Sequence, residues 1–220
     1  MRLILKRDEP PCLTALKLTP GAQYTNLQGA CKEIVVNELR YEQINLCAYC
    51  QKILQTVFIE HYIAQSTGTM QLDYSNFLGV CSGKYYLDKK LGTKIDFCSN
   101  SRGNKLLTID PTNMSHINTI YYDTSNKIIS SNSTLNNELN NILNLNFIEI
   151  CEDRQEAFDN AFKAVVDLGE QMELTKLEIL QKLKRSVRDD ATEFISYVEY
   201  RIDKLIEHFN SFQNKKPSHH

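Results

Sequence analysis

Four cysteines place the strongest constraint on what this chain can fold into. Cys47 and Cys50 are separated by two residues, and Cys81 and Cys98 follow downstream. A Cys-x-x-Cys turn sets two thiolates on one side of a metal ion, and a second pair completes a tetrahedron of sulfur. The second pair is opened here by the 16 residues from 82 to 97, but the stretch 66–105 is rich in turn residues, with Gly68, Gly79, Gly83, Gly92 and Gly103. The pattern predicts a structural zinc ion on Cys47, Cys50, Cys81 and Cys98. A chance pair and a redox dithiol are the alternatives. A redox dithiol is expected after a strand and at a helix start, a context the sequence around Cys47 does not offer.

Seven cysteines without a secretion signal do not suggest a disulfide framework. Cys12, Cys31 and Cys151 therefore read as isolated buried thiols. The opening MRLILKRDEPP carries charges and prolines where a signal peptide needs an apolar run. No stretch approaches the roughly 20 apolar residues that span a bilayer. The expectation is a soluble cytoplasmic protein with no membrane partner. A formal net charge of −2 excludes a globally basic nucleic-acid binder, so any attraction to phosphate must come from a local patch.

The chain predicts an α+β fold. Leu27, Cys31, Ile34, Val35, Leu39 and Ile44 keep helical spacing over 27–44, and the β-branched run 52–60 predicts a strand ending at Glu60-His61. Short helical turns are expected around 73–80 and 101–107. Residues 117–130 predict a hairpin turning at 123–126. In 132–146 leucines and isoleucines recur at helical intervals among seven asparagines, which predicts a helix with solvated Asn faces. From 149 the character changes to amphipathic helices over 152–168 and 173–213. The expected division is a catalytic domain over 1–148 and a helical extension over 149–220.

Glu60-His61 is the pair with chemistry in it. A carboxylate can hold a hard cation such as Mg2+ or Mn2+, and the adjoining imidazole can take a proton from water near neutrality. The dipeptide alone is common on protein surfaces. Its context is more telling: Cys-x-x-Cys, then IEHYIAQS (59–66), LDYSNFLGVC (72–81) and FCSNSRGNK (97–105). This order resembles the HNH, or ββα-metal, nucleases, with Ala64 where a proline is frequent. The resemblance implies a small ββα-metal core with a zinc knuckle, surrounded by helices. It gives Glu60 the cation, His61 the role of general base and Asn76 the role of fixing the loop that presents the histidine. The residue after the last cysteine, commonly His or Asn, is Ser99 here. Asn100 is the preferred substitute as cation ligand, with Ser99 the weaker one and Asn104 a little further on.

A closer resemblance runs from residue 1 to about 150, through MRLILKRDEPPCLT, YEQINLCAYC (41–50), NFLGVC (76–81) and SNSTLNNELNNILNLN (131–146), with Arg154 soon after. It is to the HNH proteins found beside an ATPase in Septu-type and retron-associated antiphage systems. It implies a nucleic-acid-degrading effector, cutting DNA or else RNA, directed by an ATPase subunit.

Residues 82–105 carry Lys84, Lys89, Lys90, Lys94, Arg102 and Lys105 against Asp88 and Asp96, a net of +4. Beside an active site this segment could neutralise phosphates, with Tyr85 and Tyr86 packing on sugar or base; a solvated loop is the plain alternative. Residues 149–207 hold 15 acidic and 9 basic side chains. Their apolar faces suit docking on the ATPase partner, on a second copy of the chain, or on the chain's own core. The rival function is a non-catalytic zinc-binding module for protein interaction.

Overall fold

The apolar spacing after Leu27 becomes a helix of 14 residues, and the chain then turns sharply into its first cysteine pair. The computed structural model describes residues 1–64, 70–84, 86–171, 175–189 and 192–213. In order these form α1 (Pro11–Lys17), α2 (Gly29–Glu42), β1 (Phe58–His61), β2 (Phe77–Val80), β3 (Tyr86–Leu87), β4 (Lys94–Ile95), α3 (Cys98–Arg102), α4 (Met114–Ile117), β5 (Ile120–Tyr122), β6 (Ile128–Ser130), α5 (Ser133–Asn137), a π-helical turn (Glu138–Ile142), α6 (Ile148–Gln171), α7 (Lys176–Asp189) and α8 (Ile195–Gln213). The fold is mixed α+β, with three small two-stranded antiparallel sheets among the described residues: β1–β2, β3–β4 and β5–β6.

Several elements differ from expectation. The strand expected over 52–60 is confined to 58–61, because the residues before it complete the cysteine turn: Cys47 N–H donates to the Lys52 carbonyl at 2.9 Å and Leu54 N–H to Asn45 at 2.8 Å. The helical turn expected around 73–80 is a single 3-10 turn (Tyr74–Asn76), capped by Asp73, which leads straight into β2. The helix expected over 173–213 is two helices, α7 and α8. The asparagines of 132–146 are only partly solvated. Asn136 accepts from Ser130 N–H at 3.1 Å, and Asn146 pairs with both the N–H and the carbonyl of Ile128 at 2.8 Å, so they lace the segment onto β6.

The apolar faces of the late helices are spent inside the chain. Phe158 and Val165 of α6, Leu183 and Val187 of α7, and Val198 and Ile202 of α8 share one buried cluster with Leu46, Val80, Phe97, Ile128 and the four cysteines. Packing thus runs across the boundary expected at 148. Arg154, 1% exposed, donates to the carbonyls of Leu145 (2.7 Å) and Asn126 (3.0 Å) and so binds α6 to the β5–β6 layer. No helix among the described residues is long and apolar enough to cross a membrane.

A second, smaller core gathers Leu13, Leu27, Val35, Leu39, Tyr74 and Phe77. Here the expectation of isolated thiols at Cys12 and Cys31 is corrected: α1 folds back on the start of α2, brings the two Cα atoms to 5.7 Å and joins the sulfurs in a disulfide. Both residues are half-buried rather than buried, whereas Cys151 is a buried free thiol. With a sequence separation of 19 between the partners, reduction is expected to cost about 3 kcal/mol of stability, the loop-closure figure for a ring of this size. Thermal melts with and without a non-chelating reductant check this. Thiol titration of the unreduced, denatured and metal-stripped chain should find five reactive thiols; finding all seven would contradict the pairing.

Candidate functional site

Two turns bring the cysteines together. In the first, Gln51 adopts a left-handed φ of 64°, and its N–H returns to the Cys47 carbonyl at 3.1 Å, closing the Cys47–Cys50 knuckle. The knuckle sits on β2 because Gly79 lets it: Gln43 bonds the N–H (2.8 Å) and carbonyl (2.7 Å) of Gly79, and Ala48 N–H donates to the same carbonyl at 3.0 Å. The second turn explains how 82–97 is bridged. Gly83, at φ +64°, lies so close to Phe97 that an added Cβ would come within 2.1 Å of its carbonyl oxygen. Only glycine fits there. The intervening residues project as the β3–β4 hairpin, and Cys81 and Cys98 meet at its base.

The four sulfurs lie within 4.8 Å of one another, and all four residues are buried. Cys47 and Cys98 are 3.3 Å apart, Cys50 and Cys81 3.6 Å. A tetrahedron with arms of about 2.3 Å has edges of about 3.8 Å, so the quartet could hold a metal ion such as zinc with small shifts of the sulfurs. Burial pushes the Cys47 thiol up, but contacts from Cys50, Cys81 and Cys98 outweigh this and leave it well below the usual thiol value.

Cys98 begins α3, and one helical turn later Arg102 ends it. The Arg102 side chain is 1% exposed. It donates to Glu60 Oε1 at 2.5 Å, to the carbonyls of His61 (3.0 Å) and Tyr62 (2.5 Å) and to the Tyr49 hydroxyl at 3.1 Å. The expectation of Arg102 as a nucleic-acid contact is therefore corrected: α3 turns its guanidinium inward, onto the end of β1. Burial pushes the Glu60 carboxyl up from its ordinary value, against the opposing pull of Arg102.

β1 pairs with β2 in the register Glu60 to Leu78 and His61 to Phe77. The His61 ring is held edge-on by Tyr24 (4.6 Å between centroids) and Phe77 (4.9 Å). Its Nε2 lies 2.9 Å from the Gln71 carbonyl. Burial holds the imidazole below its ordinary pKa; the Gln71 carbonyl opposes this and Arg102 adds to it. Asn76, 2% exposed, accepts from Ile63 N–H at 2.7 Å and donates to the carbonyls of Ile63 (3.0 Å) and Met70 (3.3 Å). It ties together both ends of the loop that leaves His61. Gln65 and Ser66 of the IEHYIAQS segment lie outside the described residues.

Glu60 and His61 open onto a cleft of about 240 Å3 lined also by Ile59, Ala64, Arg102, Gly103 and Asn104. The two residues expected to complete the site are turned elsewhere. The Ser99 hydroxyl donates to the Cys81 carbonyl at 2.9 Å, and the Asn100 amide donates to Asp96. Asn104, carried past the end of α3 by Gly103 (φ +54°), is the asparagine of this segment that lines the cleft. The signal in the sequence was the helical turn itself: residues after Cys98 point to different sides, and spacing from the cysteine alone does not say which side faces Glu60.

Of the basic residues, Lys84, Lys89, Lys90 and Lys105 are exposed, and Lys105 directly follows Asn104. Lys89 pairs with Glu152 of α6. Tyr86 is not a surface platform: its hydroxyl donates to Asp153 and its ring packs on Phe97 and Phe147. Tyr85 lies outside the described residues. His116 serves its own loop, accepting from Asp110 N–H at 3.2 Å. No protein-family model matches the chain, and no match was found among curated proteins.

Proposed function

We propose that this chain is a metal-dependent endonuclease of the HNH type, cleaving nucleic-acid phosphodiesters, with DNA the preferred class. The observation that carries the reading is the meeting, in one cleft, of a carboxylate and a histidine at the end of a β-hairpin with a short helix launched from a four-cysteine cluster. Zinc on Cys47, Cys50, Cys81 and Cys98 would hold the helix against the hairpin without reacting. The place of the protein beside an ATPase in antiphage defence rests on the sequence resemblance alone.

The histidine's chemistry follows from one hydrogen bond. A backbone carbonyl only accepts, so Nε2 of His61 carries the proton that faces Gln71. The neutral imidazole is the form that takes a proton from water. A lowered pKa keeps that ring neutral, and able to accept, at and somewhat below pH 7. Asn76 fixes the loop that leaves the histidine. Glu60, with Oε1 toward Arg102, offers Oε2 to a hard cation, and the Asn104 amide oxygen is the neighbouring donor. Few protein ligands and several waters suit Mg2+ or Mn2+. When bound, such a cation supplies charge stabilisation at the phosphate and the leaving oxygen. Lys105, beside Asn104, is the lysine best placed to meet backbone phosphate.

Cation-dependent nicking of supercoiled plasmid, by the protein alone and with its ATPase, tests this assignment. Asn104→Ala is expected to raise the Mg2+ needed for half-maximal rate about tenfold, the lower end for loss of a group supporting a metal site. Asn100→Ala and Ser99→Ala should leave it within about threefold. The reverse pattern would return the ligand to Asn100. The second reading, a non-catalytic zinc module, draws its support from Ser99 and Asn100 being turned from the cleft; absence of nicking under every one of these conditions would favour it.

A further inference from the structure

We infer that Arg102 is the positioning residue of the Glu60 cation site, holding the carboxylate in place while keeping its affinity for the cation low; this rests on the reading of Glu60 as a cation ligand. Arg102 spans five partners from one planar group: Nε donates to the Lys105 carbonyl at 3.1 Å, Nη1 reaches Tyr49, Glu60 and His61, and Nη2 reaches Tyr62. It thereby fixes the carboxylate, the successive carbonyls of His61 and Tyr62, and the turn that holds Asn104 and Lys105. An ammonium cannot replace it, because three donors on one atom do not reach around such an arc. The other end of the same helix is equally constrained: Cys98 N–H donates to Leu143 at 2.7 Å, and its sulfur belongs to the cluster. One helical turn therefore couples the cluster to Glu60.

At 1% exposure Arg102 does not meet substrate. Its effect on a cation is electrostatic and opposes binding. A unit positive charge 2.5 Å from Oε1 competes for the carboxylate that a divalent ion needs. Order at the site and affinity of the site thus pull in opposite directions. Removal of a residue with a merely structural role would loosen both together.

Mn2+ binding to the full-length, zinc-loaded protein, read by electron paramagnetic resonance, separates these cases without turnover. Arg102→Gln is expected to bind Mn2+ about tenfold more tightly than the parent, while its plasmid-nicking rate at saturating Mn2+ falls tenfold or more. Arg102→Lys keeps the charge, which spares the fold an unpaired buried carboxylate should Arg102→Gln not fold. It should bind Mn2+ within about threefold of the parent and still lose about tenfold in rate. Arg102→Gln binding no more tightly than the parent, or Arg102→Lys nicking at the parental rate, would overturn the inference. Glu60→Gln distinguishes the two levels: if it binds Mn2+ as the parent does, the reading of Glu60 fails and this inference with it. If Glu60→Gln loses Mn2+ while Arg102→Gln gains nothing, the inference alone fails.

Discussion

Cys98→Ser is expected to release the bound metal and unfold most of the chain at 37 °C. Cys47, Cys50, Cys81 and Cys98 are between 0% and 3% exposed and sit inside the main core, against Leu46, Tyr49, Val80 and Phe97. Without a metal ion, four thiols or thiolates crowd a space that holds no other cation-binding group among the described residues. Structural zinc contributes about 10–16 kcal/mol in small metal-nucleated domains, while whole proteins are stable by about 5–15 kcal/mol. The metal term is therefore as large as the entire margin. One strand and two helices would depend on it directly: Cys81 follows β2, Cys98 starts α3, and the knuckle carries Gln51, whose carbonyl accepts from Phe194 N–H at 3.0 Å just before α8. Metal content and circular-dichroism melts of Cys98→Ser, with Cys151→Ser as the control thiol outside the cluster, check this. The control should keep its metal and lose no more than about 2 kcal/mol. A Cys98→Ser protein with parental metal content and melting temperature would contradict it.

What could be read from the sequence were the features with local causes. The cysteine quartet declares itself by residue type, and its members meet although 16 residues part Cys81 from Cys98. The hairpin at 117–130 is carried by Asp123, which accepts from Ser125 and Lys127 N–H at 2.9 Å, and by Asn126 at φ 63°. Both are turn chemistry that three residues specify. Glu60-His61 closes a strand because the residues before it are β-branched and apolar.

What could not be read depends on which distant surfaces meet. Cys12 and Cys31 look isolated until α1 folds onto α2. Arg102 sits in a segment with net positive charge and reads as a surface base; only the placement of α3 over the end of β1 buries it against Glu60. The same helical turn moves Asn100 away from the cleft and brings Asn104 to it. The apolar faces of the acidic late helices suit docking on a partner, on a second copy or on the chain's own core, and composition does not choose among these; the fold packs many of their apolar residues into the core that holds the cysteines.

His61→Ala is the measurement on which the account stands. The ring is 7% exposed and packs on Tyr24 and Phe77, so its loss leaves a cavity expected to cost about 2–3 kcal/mol, within a margin of about 5–15 kcal/mol. The catalytic effect should be larger: removing a general base costs about 10²–10⁴-fold in rate. The variant is expected to fold, keep its zinc and bind plasmid DNA as the parent does, while its nicking rate with Mg2+ or Mn2+ falls at least about 100-fold. A folded, zinc-loaded His61→Ala protein that nicks plasmid as fast as the parent would contradict the nuclease mechanism and leave the zinc module as the account of this chain.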